Sequence, residues 1–224
     1  MSKDKNTLVI AIDGPAGAGK STVSKALAKD LGFRYLDTGA MYRCIALKAV
    51  RAGISVDDAS ALAELMEATQ IDFGHGDPQP VCLDGENVTS LIRTTEMSEA
   101  ASTISAHSAV RGALVPRQQQ LILGGEVVLE GRDATTKIAP NAEVKIYLTA
   151  SLEERAKRRQ AEYAGKGIVV DFETVRKEIE DRDHRDITRQ DSPLRVAADA
   201  IIVESGGLPV EDVIAKIRAI VETR

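Results

Sequence analysis

The segment Gly14-Pro-Ala-Gly-Ala-Gly19-Lys20-Ser21 constrains this chain more than any other. It follows a short β-branched run, Leu8-Val-Ile-Ala-Ile12, that ends at Asp13, and it precedes a helix-favouring stretch from Lys20 to Asp30 whose apolar face begins at Val23. The order is strand, glycine-rich turn, helix, and the spacing G-x-x-x-x-G-K-[ST] has physical meaning in that context. Glycines tolerate positive φ and carry no Cβ, so the backbone N–H groups of such a turn can all face inward on a polyphosphate. Lys20 then places a point charge on the β- and γ-phosphates, the Ser21 hydroxyl becomes a ligand for Mg2+, and the surrounding residues, Gly14, Pro15, Ala16, Gly17, Ala18, Gly19 and Thr22, complete a site for ATP. The bland alternative is a glycine-rich turn that binds nothing.

The rest of the chain continues the alternation. Arg34–Asp37 reads as a second strand. A helix from about Ala40 to Ala52 follows, capped by Asp37 or Thr38 and stopped at Gly53, and Asp57 or Asp58 opens another through about Ala68. Ile71-Asp-Phe73, Val81-Cys-Leu83 and Asn87-Val-Thr89 are short alternating pieces parted by Gly, Pro and Asp84-Gly85, which predicts a small antiparallel insertion. Helical character returns from Thr95 to about Leu123, with Gly112 and Pro116 inside it, so the expectation is a kinked helix or two helices. Val127–Glu130 and Val144–Leu148 lack polar alternation and read as central parallel strands. Ser151-Leu-Glu-Glu154 is a capping box that starts a helix through at least Arg159. A charged stretch, Gln160–Asp171, leads to a helix over about Glu173–Asp186, then a strand at Ala200–Val203 and a helix from Pro209 to Glu222. The class predicted is α/β, a mostly parallel sheet flanked by helices.

Composition narrows the partners. The 224 residues are 43% hydrophobic and 28% charged, enough to bury a core, and the formal net charge of −5 argues against a nucleic-acid binder. Any anion has to be gripped locally. No apolar run reaches the roughly 18 residues of a membrane span, and Met1–Thr7 is short and polar, so neither membrane nor signal peptide is expected and the protein is placed in the cytoplasm. Cys44 and Cys82 are far apart, and His75, His107 and His184 show no ligand spacing, so the thiols are expected to be free and no protein-held metal cluster is foreseen.

A phosphate loop does not say what becomes of the phosphate. Asp37-Thr-Gly-Ala-Met-Tyr42-Arg43 offers a hydroxyl, a ring and a guanidinium within one turn, although singly Thr38 reads as a cap, Tyr42 as core edge and Arg43 as an ion-pair partner. Arg155, Arg158 and Arg159 lie at i, i+3 and i+4, so their heads are expected on one face of the capped helix, which alone reads as a solvated basic face. The guanine-reading Asn-Lys-x-Asp segment of GTPase switches is absent.

Taken together, Ile12-Asp-Gly-Pro15, Gly17-Ala-Gly-Lys-Ser21, Leu36-Asp-Thr-Gly-Ala-Met-Tyr-Arg43, Ile92-Arg-Thr94, Glu130-Gly-Arg-Asp133 and Arg182-Asp-His-Arg-Asp186 resemble, in order and over nearly the whole chain, the segments of bacterial cytidylate kinases. The resemblance implies a P-loop kinase fold and ATP-dependent phosphorylation of CMP or dCMP with Mg2+. It also implies a monomer organised as one kinase domain over 1–224, with a core at about 1–37, 96–150 and 187–224, a monophosphate-binding insertion at about 38–95 and a helical lid at about 151–186. Arg43, Arg132 and Arg189 are assigned by it to the acceptor phosphate, and Tyr42, Arg182 and Asp186 to the neighbourhood of the sugar. Ser102, Arg111 and Asp133 go to the cytosine base, Thr38 to the substrate site, and Arg158 with its helix neighbours to the phosphates during transfer. A kinase for another small acceptor is the alternative. Two departures from the family pattern stand out: Ala134-Thr135-Thr136 after Arg132-Asp133, where a glycine is usual at the middle position, and Pro116 in the helix of Arg111.

Overall fold

The computed structural model describes residues 8–74, 76 and 78–224; His75 and Met1–Thr7, both considered above, lie outside the described residues. The chain divides into two units, one from the described part of Met1–Tyr35 together with Ile122–Arg224, the other from Leu36–Leu121. The first is built on a five-stranded sheet. Strand β1 (Val9–Asp13) lies at its middle, β6 (Val127–Gly131) and β7 (Val144–Thr149) pair parallel on either side of it, and β8 (Ile201–Glu204) pairs parallel with β7. Strand β2 (Arg34–Asp37) closes the other edge, giving the order β2-β6-β1-β7-β8. The predicted mostly parallel sheet is therefore present.

Register explains the burial. Ile10 and Ile12 face the same side as Val128, Val144, Ile146 and Leu148, where helix α1 (Lys20–Leu31) adds Val23 and Leu27, and α8 (Val210–Glu222) adds Val213 and Ile217. Fully burying one such side chain contributes about 1.5–3 kcal/mol, so this cluster dominates the stability of the unit. The order of connection reverses at β1, and in open parallel sheets ligands bind beyond the carboxyl ends of the strands at such a point. β1 ends there, at Asp13, directly before the glycine-rich turn.

The second unit is mostly helical. Helix α2 (Thr38–Ala52) is capped by the Asp37 carboxylate, which accepts from the Ala40 amide at 3.0 Å, and ends at Gly53 as expected. Helix α3 (Ala59–Glu67) is capped by Asp58; its carboxyl end has no glycine and is finished by Arg117, which donates to the carbonyls of Met66 and Thr69, each at 2.8 Å. The foreseen insertion is a three-stranded antiparallel sheet of β3 (Ile71–Phe73), β4 (Val81–Leu83) and β5 (Glu86–Asn87); β5 begins one residue before and ends two residues before the piece the sequence suggested, with the Val88 amide still donating to the Val81 carbonyl. Met41, Ile45, Leu62, Met66, Ile104 and Leu114 form the core.

Two boundaries differ from expectation. The stretch 95–123 is two helices, α4 (Thr95–Ile104) and α5 (Ser108–Leu121), but the corner falls at 105–107 and Pro116 lies within α5. Tertiary hydrogen bonds set that corner: the Ser105 hydroxyl donates to the Ser102 carbonyl, Arg111 donates to the Ser105 carbonyl, and the His107 ring bonds the Val56 carbonyl. Helix α6 (Leu152–Gly165) runs on well past Arg159 because Tyr163 is buried against Val175 and Ile179 of α7 (Phe172–Thr188), leaving only 166–171 as connection. Both cysteines are free; Cys44 is buried, and burial pushes its thiol up to about 12. Among the described residues no helix is long and apolar enough to cross a membrane.

Candidate active site

The loop between β1 and α1 is held in place by its backbone. Gly14, Gly17 and Gly19 have φ of 154°, 74° and 90°. A Cβ on Gly14 would stand 1.9 Å from the Leu148 carbonyl oxygen, and one on Gly17 would stand 3.1 Å from the Arg155 Cβ, so close approach as well as dihedral freedom demands glycine here. The loop carbonyls have partners behind them. Lys20 Nζ donates to the Pro15 carbonyl at 2.7 Å, Arg155 donates to the Ala16 carbonyl at 2.9 Å, and the Ser205 hydroxyl donates to the Ala18 carbonyl at 3.0 Å. One expectation needs correcting: the N–H groups do not all face inward, because the Ala16 amide donates to Oδ1 of the buried Asp183 carboxylate at 2.8 Å.

Around Lys20 the first unit gathers alternating charge. Arg132 Nε donates to Asp186 Oδ2 at 2.8 Å, and Arg189, on the turn ending α7, lies 3.6 Å from Asp186 Oδ1 and 3.9 Å from Asp133 Oδ1. Burial, together with Arg132 and Arg182, lowers the Lys20 ammonium to about 7 against the opposing pull of Glu130 and Asp186. Burial also acts to raise Asp186, but Arg132, Arg182 and Arg189 outweigh it and hold that carboxyl below the usual carboxylate range. Burial disfavours the charged form of Arg132, yet Asp186 beside it keeps the guanidinium firmly protonated. The structure thus brings together Lys20, Arg132, Asp133, Arg182, Asp186 and Arg189. These are excess cations next to a phosphate loop, buried enough to bind a polyanion strongly.

Asp13 explains the departure at Thr135. Its carboxylate, wholly buried, accepts from the amides of Ala134 and Thr135, each at 2.8 Å, and from the Thr135 hydroxyl at 2.6 Å. These bonds pin the start of a single π-helical turn, Ala134–Ile138, that follows Asp133. Burial raises the Asp13 pKa, and the Thr135 hydroxyl is the largest influence against that rise. Thr135 is not among the described residues with positive φ, so replacing glycine costs no backbone strain and adds a hydrogen bond.

The three arginines of α6 have different partners. Arg155 is buried, donating to the carbonyls of Ala150 and Ala16 and ion-paired with Asp183. Arg158 donates to the Ser205 carbonyl at 2.6 Å and hydroxyl at 3.0 Å and reaches the Ala18 carbonyl at 3.4 Å. Arg159 pairs with Glu162 at 2.9 Å and lies over the Tyr163 ring. Arg155 and Arg158 thus both reach carbonyls of the phosphate loop, whereas Arg159 turns to its own helix. Asp183 and Ser205 were not singled out from the sequence. Asp183 had a signal, standing one helical turn before Asp186 in an already notable segment; Ser205 had none.

In the second unit, Thr38 starts α2 and is buried, with its carbonyl accepting from Gln118 Nε2 at 3.3 Å. Arg43 is ion-paired with Asp37 at 2.5 Å. The Arg111 guanidinium lies over the Tyr42 ring, 5.4 Å from its centroid, and donates to the Ser105 carbonyl at 3.0 Å. The Ser102 hydroxyl, in α4, is buried with no hydrogen-bond partner among the described residues. Thr38, Tyr42, Arg43, Ser102 and Arg111 therefore belong to this unit, and Asp133 to the other.

For Mg2+, the residues fit an ion shared with a nucleotide. Ser21 is exposed on the first turn of α1 and offers one hard oxygen, while among the described residues no group of three His, Cys, Asp or Glu could hold an ion unaided.

Comparison with known proteins bears on the whole chain. The family model described as cytidylate kinase matches residues 10–223. A cytidylate kinase of Pediococcus pentosaceus is 49% identical over 218 residues, 97% of this chain and 96% of that one. Those of Listeria welshimeri and a Geobacillus species are 47% and 46% identical, covering 97% and 98% of this chain and 97% and 99% of theirs. Among solved structures, a shikimate kinase from Acinetobacter baumannii aligns with a TM-score of 0.50 at 18% identity, over 100% of this chain and 98% of that one. An uncharacterised protein from Eubacterium ventriosum aligns with a TM-score of 0.54 at 14% identity, over 97% and 99%. These two likenesses concern the fold, a P-loop kinase sheet in the shikimate kinase. The match across the chain and the near-half identity to full-length relatives agree with the motif order, and the chain belongs to the cytidylate kinase family.

Proposed function

We propose that the protein transfers the γ-phosphoryl group of ATP to CMP or dCMP, releasing ADP and CDP or dCDP. The observation that carries this reading is the cation set beside the phosphate loop, Lys20 and Arg189 buried and Arg132 and Arg182 half-buried, in a chain of this family. An oxygen of the acceptor α-phosphate bonds to the γ-phosphorus as the bond to the β,γ-bridging oxygen breaks, and the electron pair leaves on ADP. The acceptor phosphate is already ionised at neutral pH, so no general base is needed, and catalysis consists of alignment and neutralisation of charge. Lys20 neutralises the β- and γ-phosphates; Arg132, Arg189 and Arg43 hold the acceptor phosphate; Asp186, Tyr42 and Arg182 serve the sugar. Ser102, Arg111 and Asp133 read the base. A hydroxyl and a carboxylate accept from the cytosine amino group and a guanidinium donates to N3 or O2, whereas uracil presents the opposite polarity at two of these positions. Mg2+ held by Ser21 and the nucleotide would offset charge on the phosphates. Arg158 reaches the phosphates if the 151–186 segment closes as a lid.

The test is ADP release measured across the common nucleoside monophosphates with ATP and Mg2+. CMP and dCMP should be turned over well ahead of UMP, AMP and GMP. A preference for any other acceptor, or equal ATP hydrolysis without acceptor, overturns the reading. The protein is read as a cytoplasmic monomer, and light scattering at assay concentration checks its mass.

A further inference from the structure

Ala16 stands out because it is gripped on every side. Its amide donates to Asp183 Oδ1 at 2.8 Å, its carbonyl accepts from Arg155 at 2.9 Å, and its methyl belongs to the apolar cluster formed by Ala156 and Tyr163 of α6 with Val175 and Ile179 of α7. Arg155 and Asp183 are ion-paired to each other and both are buried. The next residue, Gly17, packs so close to the α6 backbone that a Cβ would meet the Arg155 carbonyl oxygen at 3.2 Å. The contact of the helix pair with the phosphate loop is thus densest at Ala16, through two backbone hydrogen bonds and one methyl.

We infer that Arg155 and Asp183 are positioning residues that set the phosphate loop for ATP through the Ala16 peptide groups, without touching the nucleotide. Turning the Ala16 N–H toward Asp183 and its carbonyl toward Arg155 fixes the planes of the two peptides flanking Ala16. With the Pro15 and Ala18 carbonyls also bonded, the orientation of the loop amides is decided before the nucleotide arrives. Oriented donors stabilise charge without reorganising during the reaction, so a loose Ala16 would cost ATP affinity rather than acceptor affinity. The pair also has no slack. Arg155 spends Nε on Ala150 and one terminal nitrogen on both Ala16 and Asp183, geometry that a lysine cannot reproduce.

This inference rests on the loop being the ATP site, as proposed above. Asp183→Asn and Arg155→Lys are each expected to raise the ADP dissociation constant and KM for ATP by about tenfold or more, while KM for CMP stays within about twofold, since small misplacements of positioning groups cost up to roughly 10²-fold. Because the two residues are ion-paired to each other and grip the two peptides of a single residue, the double variant should lose no more ADP affinity than the worse single variant. A lowered Tm with ADP affinity unchanged would mean that the pair only holds α6 to α7, and it overturns the inference. Losses that simply add overturn it as well. Should the variants fold poorly, amide exchange in the unaltered protein decides: Ala16 should exchange slowly with and without ADP, whereas Gly17 and Gly19 slow only on ADP addition. Ala16 exchanging like its neighbours overturns the idea. A wild-type protein that bound no ADP would sink the functional reading and this inference with it, whereas ADP affinity retained in Asp183→Asn sinks the inference alone.

Discussion

In the phosphate loop the carbonyls of Pro15, Ala16 and Ala18 and the amide of Ala16 are all bonded within the chain, whereas in the second unit the buried hydroxyl of Ser102 and the side-chain carbonyl oxygen of Gln118 have no hydrogen-bond partner among the described residues. The difference follows from what each region has to recognise. Phosphates are alike in every nucleotide and are met by amide dipoles that must be oriented in advance, so the backbone there is tied down by the protein itself. A base is told from another base by polar atoms on its edge, and a buried hydroxyl with no partner among the described residues has its full donor and acceptor capacity left for such an edge. Leaving Ser102 unsatisfied costs the folded protein about 1–3 kcal/mol, and the cognate base can return that cost.

The comparison breaks most visibly at Lys20. Lys20→Met should leave the fold intact, with an unchanged circular dichroism spectrum, and lower turnover by about 10²–10³, the usual consequence of removing one preorganised electrostatic group. A variant retaining more than half the activity would remove the loop from the mechanism. Ser102→Ala probes the other region. It should weaken CMP by roughly five- to thirtyfold, leave ADP affinity unchanged and not lower Tm, since it deletes a buried unsatisfied group. A lowered Tm would show that Ser102 is a structural hydroxyl.

A sharper reading comes from pH. Lys20 in the folded protein titrates near 7, below its ordinary value of 10.5, because burial and Arg132 disfavour the ammonium. Between those values the unfolded chain carries a proton that the folded one has lost, so this group makes stability rise with pH across the window and imposes its full burial penalty below it. Nucleotide phosphates should restore the charge. ADP binding at pH 8 is therefore expected to take up close to one proton, visible as a buffer-dependent heat in calorimetry; equal heats in buffers of different ionisation enthalpy would mean that Lys20 stays charged in the free protein. The smallest effect is expected behind the loop. Thr135→Val removes the hydroxyl bonded to Asp13 and should lower Tm by roughly 2–8 °C, from about 1–2 kcal/mol lost, with both KM values unchanged.

What the sequence showed and what it hid divide by range. The loop motif, the Asp37 and Ser151 caps and the Gly53 stop are local patterns, and each is found where the spacing put it. The residues that hold the loop are not local: Arg155 and Ala16 are 139 positions apart, Asp183 and Ala16 are 167, and Ser205 and Ala18 are 187. No periodicity reports such pairs. Pro116 drew attention as the natural place for a kink, yet hydrogen bonds from Arg111, His107 and Ser105 placed the corner upstream of it. The assignments of acceptor-side residues such as Ser102 and Arg111 came from family resemblance, because a buried serine and a buried arginine carry no signature of their own.

The central position of β1 also shapes the protein's birth. On the ribosome Val9 emerges long before its two partner strands, whose pairing residues include Val127 on one side and Val144 on the other. At about 5–20 residues per second the first strand waits on the order of 10 s for a neighbour. During that wait Leu36–Leu121, continuous in sequence, is complete and free to collapse on its own core. The nucleotide loop therefore takes shape last, after the chain has closed a loop of more than a hundred residues, so slow folding and dependence on chaperones would fall on the half of the molecule that carries the oldest-made strand.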